Sequence, residues 1–220
     1  MKPKGTPSVV VCYYDPKYEL EKQPKRIANR CIAEIVSLCK QFDTISNQLF
    51  LALRRKDIDE AVYMYEFHYE NFIFRLYALQ ERVWDVLEAL AGIQRKKETK
   101  WGFRKRVLSE IKQVYPEVYG VVSNLRRLIE SDIKYRHVVT HETFLFLGLV
   151  FGVNFGGIYE ISQVLTWEDP QSEGGRRIQK IVRKALREFA AENKKHIQEI
   201  ITEAFNFTRR CSDAVNRKLW

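Results

Sequence analysis

This sequence has no apolar run long enough to cross a bilayer. Its longest, residues 144–153, is about half of the roughly 20 residues a spanning helix needs, and Gly148 and Gly152 interrupt it. Cysteine is scarce as well: Cys12, Cys31, Cys39 and Cys211 make no Cys-x-x-Cys pair and no ligand spacing with histidine. That argues against zinc and reads as reduced thiols in a reducing compartment. The first eight residues are polar and carry two prolines, so no signal peptide is visible, and a cytoplasmic protein is expected. The Gly156-Gly157 pair is not a phosphate loop, because it lacks the lysine and the strand-to-helix setting of one. There is no internal repeat.

What the chain does have is charge, unevenly spread. The net charge of +9 sits on a chain of 220 residues with 45% hydrophobic and 30% charged content, a globular composition. Residues 94–136 hold 12 Lys/Arg against 5 Asp/Glu, and residues 174–220 hold 12 against 5 again. The first 93 residues are balanced at 13 against 13, and residues 137–173 carry five acids and no Lys/Arg. Two basic stretches on a neutral body point to a polyanion, nucleic acid ahead of an anionic membrane; a solvated basic face is the plainer alternative.

Apolar spacing predicts helices almost throughout. Residues 1–23 read as an N-terminal extension, with Val9-Val10-Val11 able to pair as an edge strand. Residues 24–220 read as a single helical domain. Pro24 suits a first helical turn, and from Ile27 to Leu53 apolar residues recur every three or four positions, ending at the cations Arg54-Arg55-Lys56. Asp57, with Glu60 three residues on, caps a second helix that runs to about Gly92. The short connection predicts an antiparallel hairpin. Most of the polar groups on the second helix read as solvated, but Glu66, Glu70 and Arg75 can fall at the edge of its stripe, where a site between helices would find them.

After a charged linker come Trp101, Phe103 and the cluster Arg104-Lys105-Arg106. Cations interleaved with aromatics suit nucleic-acid contact; the alternative is that the two aromatics anchor a short helix. Pro116 opens a further helix that delivers the chain to Tyr135-Arg136. Periodicity does not separate a buried helix from a short β element near 144–160. From Arg176 onward, apolar spacing through Phe205 gives a last long helix, with His196 on its polar side beside Lys194 and Lys195 as a surface residue.

Residues 134–142 gather Arg136, His137 and His141 within six positions. An arginine grips a phosphate with two parallel hydrogen bonds, and a histidine takes and gives a proton near neutral pH. Phosphodiester cleavage without a metal would ask for this pairing. On spacing alone, a helix end with a locally bonded histidine is the better explanation.

The long helical hairpin, followed by a helix ending on Arg-polar-x-x-x-His, resembles the HEPN superfamily of prokaryotic helical-bundle proteins. The stretch Glu66-Phe67-His68-Tyr69-Glu70-Asn71-Phe72-Ile73-Phe74-Arg75-Leu76-Tyr77 is similar to the second helix of stand-alone bacterial members. The resemblance covers about residues 25 to 160 and implies an all-α, HEPN-like bundle built on the hairpin, to which the apolar spacing adds a long C-terminal helix. In that superfamily Arg-x(4–6)-His is a ribonuclease motif, matched here by Arg136, His137 and His141. The resemblance thus implies a metal-independent endoribonuclease, acting as a homodimer without a cofactor. The ribose 2′-hydroxyl would attack the adjacent phosphorus and leave a 2′,3′-cyclic phosphate. Arg104, Lys105, Arg106, Glu70 and Arg75 would be its RNA-binding residues. A toxin or defence role with an antitoxin or other protein partner follows the same pattern. The alternative is a non-catalytic HEPN module that binds nucleic acid or a partner protein.

Overall fold

The structure, a computed structural model, describes residues 24–141 and 171–217. These form five helices and, among the described residues, no strand: α1 (Pro24–Ala52), α2 (Ile58–Ala91), α3 (Lys100–Val114), α4 (Pro116–His141) and α5 (Glu173–Arg217). The all-α bundle expected from the apolar spacing is what forms. Residues 9–11 and 144–160, where the sequence allows a strand, lie outside the described residues.

The first two helices pack antiparallel over most of their length. Arg82 of α2 reaches Glu34 of α1, Arg75 reaches Gln41, and Phe72 meets Phe42 edge-on with ring centroids 5.4 Å apart. The stripe expected on α1 is the buried one: Ile27, Cys31, Ile35, Phe42, Ile45 and Leu49 are all 7% exposed or less. Each such side chain contributes about 1.5–3 kcal/mol by leaving water.

Local chemistry sets the helix ends. Pro24 begins α1, and the Asp57 carboxylate accepts from the Glu60 amide at 3.0 Å at the start of α2. Gly92 ends α2 with φ 65°, a left-handed conformation that glycine adopts without steric cost. Thr99 caps α3 by accepting from the Gly102 amide at 3.1 Å. One end differs from the expectation. Helix α1 stops at Ala52, so Arg54, Arg55 and Lys56 lie in the turn beyond it and not in its last turn.

The last helix closes the bundle. It runs antiparallel to α1, since Arg183 meets the 55–56 turn while Gln198 meets Asp43. It also runs antiparallel to α4, with Arg217 on Glu117 and His196 on Asp132. Val182, Leu186, Ala190, Ile197, Ile200, Ala204, Phe207 and Cys211 form its buried stripe, joining one core with residues of the other four helices. No helix among the described residues is long and apolar enough to cross a membrane. Cys31, Cys39 and Cys211 are buried free thiols. Burial pushes Cys31 and Cys39 up to about 11, and Cys211 well above the usual thiol range. Such thiols are poor nucleophiles.

Candidate functional site

Helix α4 carries the chain through the Arg136–His141 stretch without a break. The side chains of Arg136, His137 and His141 lie outside the described residues, but their helical positions are defined. Core-facing residues on α4 follow the series Val118, Val122, Leu125, Ile129 and Asp132 in steps of three and four. Position 136 is the next member of that series, one turn past Asp132. Positions 137 and 141, four apart, share a neighbouring face.

Asp132 is the exception in that apolar series. It is 6% exposed, and its carboxylate accepts from His196 Nε2 at 2.7 Å across the interface with α5. That hydrogen bond, together with the negative charge, raises the His196 pKa against the opposing effect of burial. His196 is therefore a bridging residue and not the free surface residue its lysine neighbours suggested. One turn back on α5, Asn193 donates to the Tyr65 hydroxyl at 2.7 Å, and both are buried. Burial raises the Tyr65 pKa above its ordinary range, so the phenol stays neutral and able to hydrogen-bond.

Position supplied a signal for both pairs. Asp132 falls between Ile129 and Ile133 in an apolar register, and Asn193 sits between Ala190 and Ile197. A polar residue at a core position needs a partner. Which partner it finds is set by the fold.

Arg75 donates from Nε to Gln41 Oε1 at 2.7 Å and from Nη1 to Asn71 Oδ1 at 3.0 Å, tying α2 to α1. Glu70 is half-buried, and burial raises its pKa; His68 beside it is lowered for the same reason. The Glu66 side chain lies outside the described residues.

The cluster on α3 is largely committed within the protein. Arg104 Nη2 contacts both oxygens of Glu81 at 3.0 Å, and its guanidinium lies 4.6 Å from the Trp84 ring centroid. Its side chain is 14% exposed. Burial alone would raise the Glu81 carboxyl, but hydrogen bonds from Arg104 and Lys100 hold it below the ordinary carboxylate range. Arg106 makes a two-pronged pair with Glu98, at 2.6 and 3.1 Å, and also donates to the Gln94 carbonyl. Lys105 alone of the three faces solvent fully, near the exposed Trp101 ring; Phe103 is buried. The two aromatics thus divide, one anchoring α3 and one left on the surface.

Nor does the cluster share a level of the bundle with the motif turn. Arg104 meets α2 at Trp84, whereas the contact beside the Asp132–His196 pair is at Tyr65. The nineteen-residue separation corresponds to about 28 Å of helix.

Residues 27–208 match the family model described as Cthe2314-like HEPN, which covers most of the chain and runs through the Arg136–His141 stretch. The chain belongs to this HEPN family. No curated protein and no solved structure matches it. HEPN domains as a class have nuclease-type or nucleotide-binding roles, commonly bind RNA and often dimerise. The bundle described above is accordingly a HEPN bundle, and its fifth helix belongs to the matched region as far as residue 208.

Proposed function

We propose that this HEPN protein is a metal-independent endoribonuclease, working as a homodimer in a toxin or defence setting with an antitoxin or similar protein partner. The reading is supported by the family match over residues 27–208, a range that includes Arg136, His137 and His141. The nucleophile belongs to the substrate: the ribose 2′-oxygen bonds to phosphorus, the bond to the 5′-oxygen breaks, and a 2′,3′-cyclic phosphate and a 5′-hydroxyl remain. His141 removes the 2′-hydroxyl proton or supplies one to the departing oxygen, each worth about a hundredfold to ten-thousandfold. Arg136 balances the charge that builds on the phosphoryl oxygens. His137 orients the substrate or the second histidine. A single histidine is a poor acid and base in one step, which is why two copies of the motif facing one cleft suit the chemistry, and a two-fold pair is the commonest oligomer.

DNA lacks the attacking hydroxyl and should be left intact. The decisive experiment incubates purified protein with mixed-sequence RNA and a matched DNA in EDTA, and maps the product ends. Cleavage of RNA alone, ending in cyclic phosphate, is expected. A nuclease-free dimeric preparation that leaves varied RNAs uncut would shift the assignment to a non-catalytic HEPN binding module.

A further inference from the structure

In the basic stretch of residues 94–136, Arg104 and Arg106 of α3 are bound up in ion pairs with Glu81 and Glu98, and Lys100 also pairs with Glu81. Among the described residues, the stretch that opens α5 is far less committed. Residues 176–187, Arg-Arg-Ile-Gln-Lys-Ile-Val-Arg-Lys-Ala-Leu-Arg, hold six cations and no acid. At 100° per residue the six fall within about a third of the helix circumference, beside the buried face of Val182, Leu186 and Ala190. Arg176, Arg177, Lys180, Lys184 and Arg187 are exposed. The ion pair formed by this group among the described residues is Lys184 with Glu188 at 3.9 Å, both side chains well exposed. Such a contact holds a lysine weakly.

The sixth cation has a different job. Arg183, half-buried at the inner edge of the stripe, donates to the backbone carbonyls of Arg55 and Lys56 just past the end of α1. It thereby satisfies acceptors in the turn that leaves α1. It also fixes the exposed turn Arg54-Arg55-Lys56 alongside the α5 stripe, though the two are more than a hundred residues apart in sequence. Arg55 is shared with Glu60 at 3.3 Å in an exposed pair.

We infer that the α1–α2 turn and the first turns of α5 form one surface that binds the phosphate backbone of single-stranded RNA. The stripe is about 16 Å long at 1.5 Å per residue, enough to follow several successive phosphates. It is fixed on a rigid helix, whose burial and N-terminal cap (Ser172 accepting from the Gly175 amide at 2.9 Å) are already accounted for by the fold. Its contacts would be to phosphate and hence independent of sequence. RNA fits this face better than a lipid surface does. An interfacial helix inserts an apolar side below its cations, and on α5 that side is spent on the core.

This surface does not depend on the catalytic reading, so the test uses an RNA that cannot be cleaved. Binding of a short fluorescent 2′-O-methyl RNA to the full chain is measured by anisotropy across a potassium chloride series. The variant Lys180→Glu/Lys184→Glu/Arg187→Glu should bind at least tenfold more weakly. Its log–log salt slope should be shallower by about 0.7 for each phosphate that is no longer neutralised. Lys25→Glu/Lys40→Glu/Lys97→Glu, with the same change in net charge, should keep most of the affinity. Circular dichroism and melting temperature confirm that both variants fold; if the α5 triple does not, Lys180→Gln/Arg187→Gln gives the same comparison. Equal losses in both triples, or no loss in the α5 variant, would overturn the proposal. Wild-type protein that sediments with phosphatidylserine vesicles but ignores the RNA would overturn it too. Absence of cleavage with natural RNA, alongside binding that depends on this face, would sink the nuclease reading and leave the surface standing.

Discussion

Asp132 and His196 join α4 to α5 through a hydrogen bond of 2.7 Å, four residues before Arg136 on the motif helix. The contact makes the end of α4 sensitive to protonation. Because the folded His196 pKa is raised above that of a free imidazole, the pair contributes its full stability below the unfolded value of about 6.5. That contribution is lost as pH rises through the folded pKa.

The first prediction concerns this pair. The melting temperature of the wild type should fall between about pH 6.5 and the folded pKa of His196, and His196→Asn should flatten that part of the profile. Scanning fluorimetry across pH on both proteins is sufficient. Parallel profiles would show that the pair does not control stability. Asp132→Ala should cost about 1–3 kcal/mol at pH 6, since it strips a partly buried imidazole of its acceptor.

The Arg104–Lys105–Arg106 cluster should separate into unlike members. Arg104→Glu sets a negative charge against Glu81 beneath Trp84, and should destabilise the fold by about 3 kcal/mol or more. Lys105→Glu, on the solvent side, should change stability by no more than about 0.5 kcal/mol. Urea titration measures both. Reversing all three at once therefore reports on folding before it reports on RNA. If Arg104→Glu proves neutral, the pair with Glu81 is only a surface contact.

Much of the architecture was legible because apolar period and end signals agreed. Pro24, Asp57 with Glu60, and Pro116 mark starts that the structure keeps, and the stripes of α1 and α2 are the buried ones. The last helix was the least legible. It starts at Glu173, ahead of two glycines that argue against helix, because Ser172 caps it. It continues past Phe205 through Phe207, Cys211, Ala214 and Val215, which pack against the bundle. Spacing along the chain also gives no view of pairing across it. Nothing local to Arg104 announces Glu81, and nothing local to His196 announces Asp132, 64 residues away. The motif itself was readable as a string; the Glu66 side chain and the stretch beyond His141 lie outside the described residues.

Tyr65 and Asn193 offer a smaller test of the same interface. Tyr65→Phe keeps the ring contacts with Phe189 but leaves the Asn193 amide without its acceptor. Urea denaturation should show a loss of about 1–3 kcal/mol. A double variant, Tyr65→Phe with Asn193→Leu, should recover part of the loss, since removing both polar groups costs less than removing one. No recovery would mean that the hydrogen bond is not what Tyr65 contributes.

The final prediction bears on the motif. Light scattering should return a mass about twice the chain's 26.1 kDa, because the proposed mechanism brings two copies of Arg136 and His141 to one cleft. In that dimer, His141→Ala should lower kcat/KM for RNA by about a hundredfold to ten-thousandfold while the melting temperature and mass hold. Arg136→Ala should do the same. Arg136→Lys should not restore activity, because an ammonium keeps the charge but not the planar two-pronged grip on phosphate. Binding of the uncleavable RNA separates the roles further. His141→Ala should bind it as the wild type does, since a proton-transfer group adds little to ground-state affinity. A folded, dimeric His141→Ala protein that cleaves RNA at the wild-type rate would remove this residue from the mechanism.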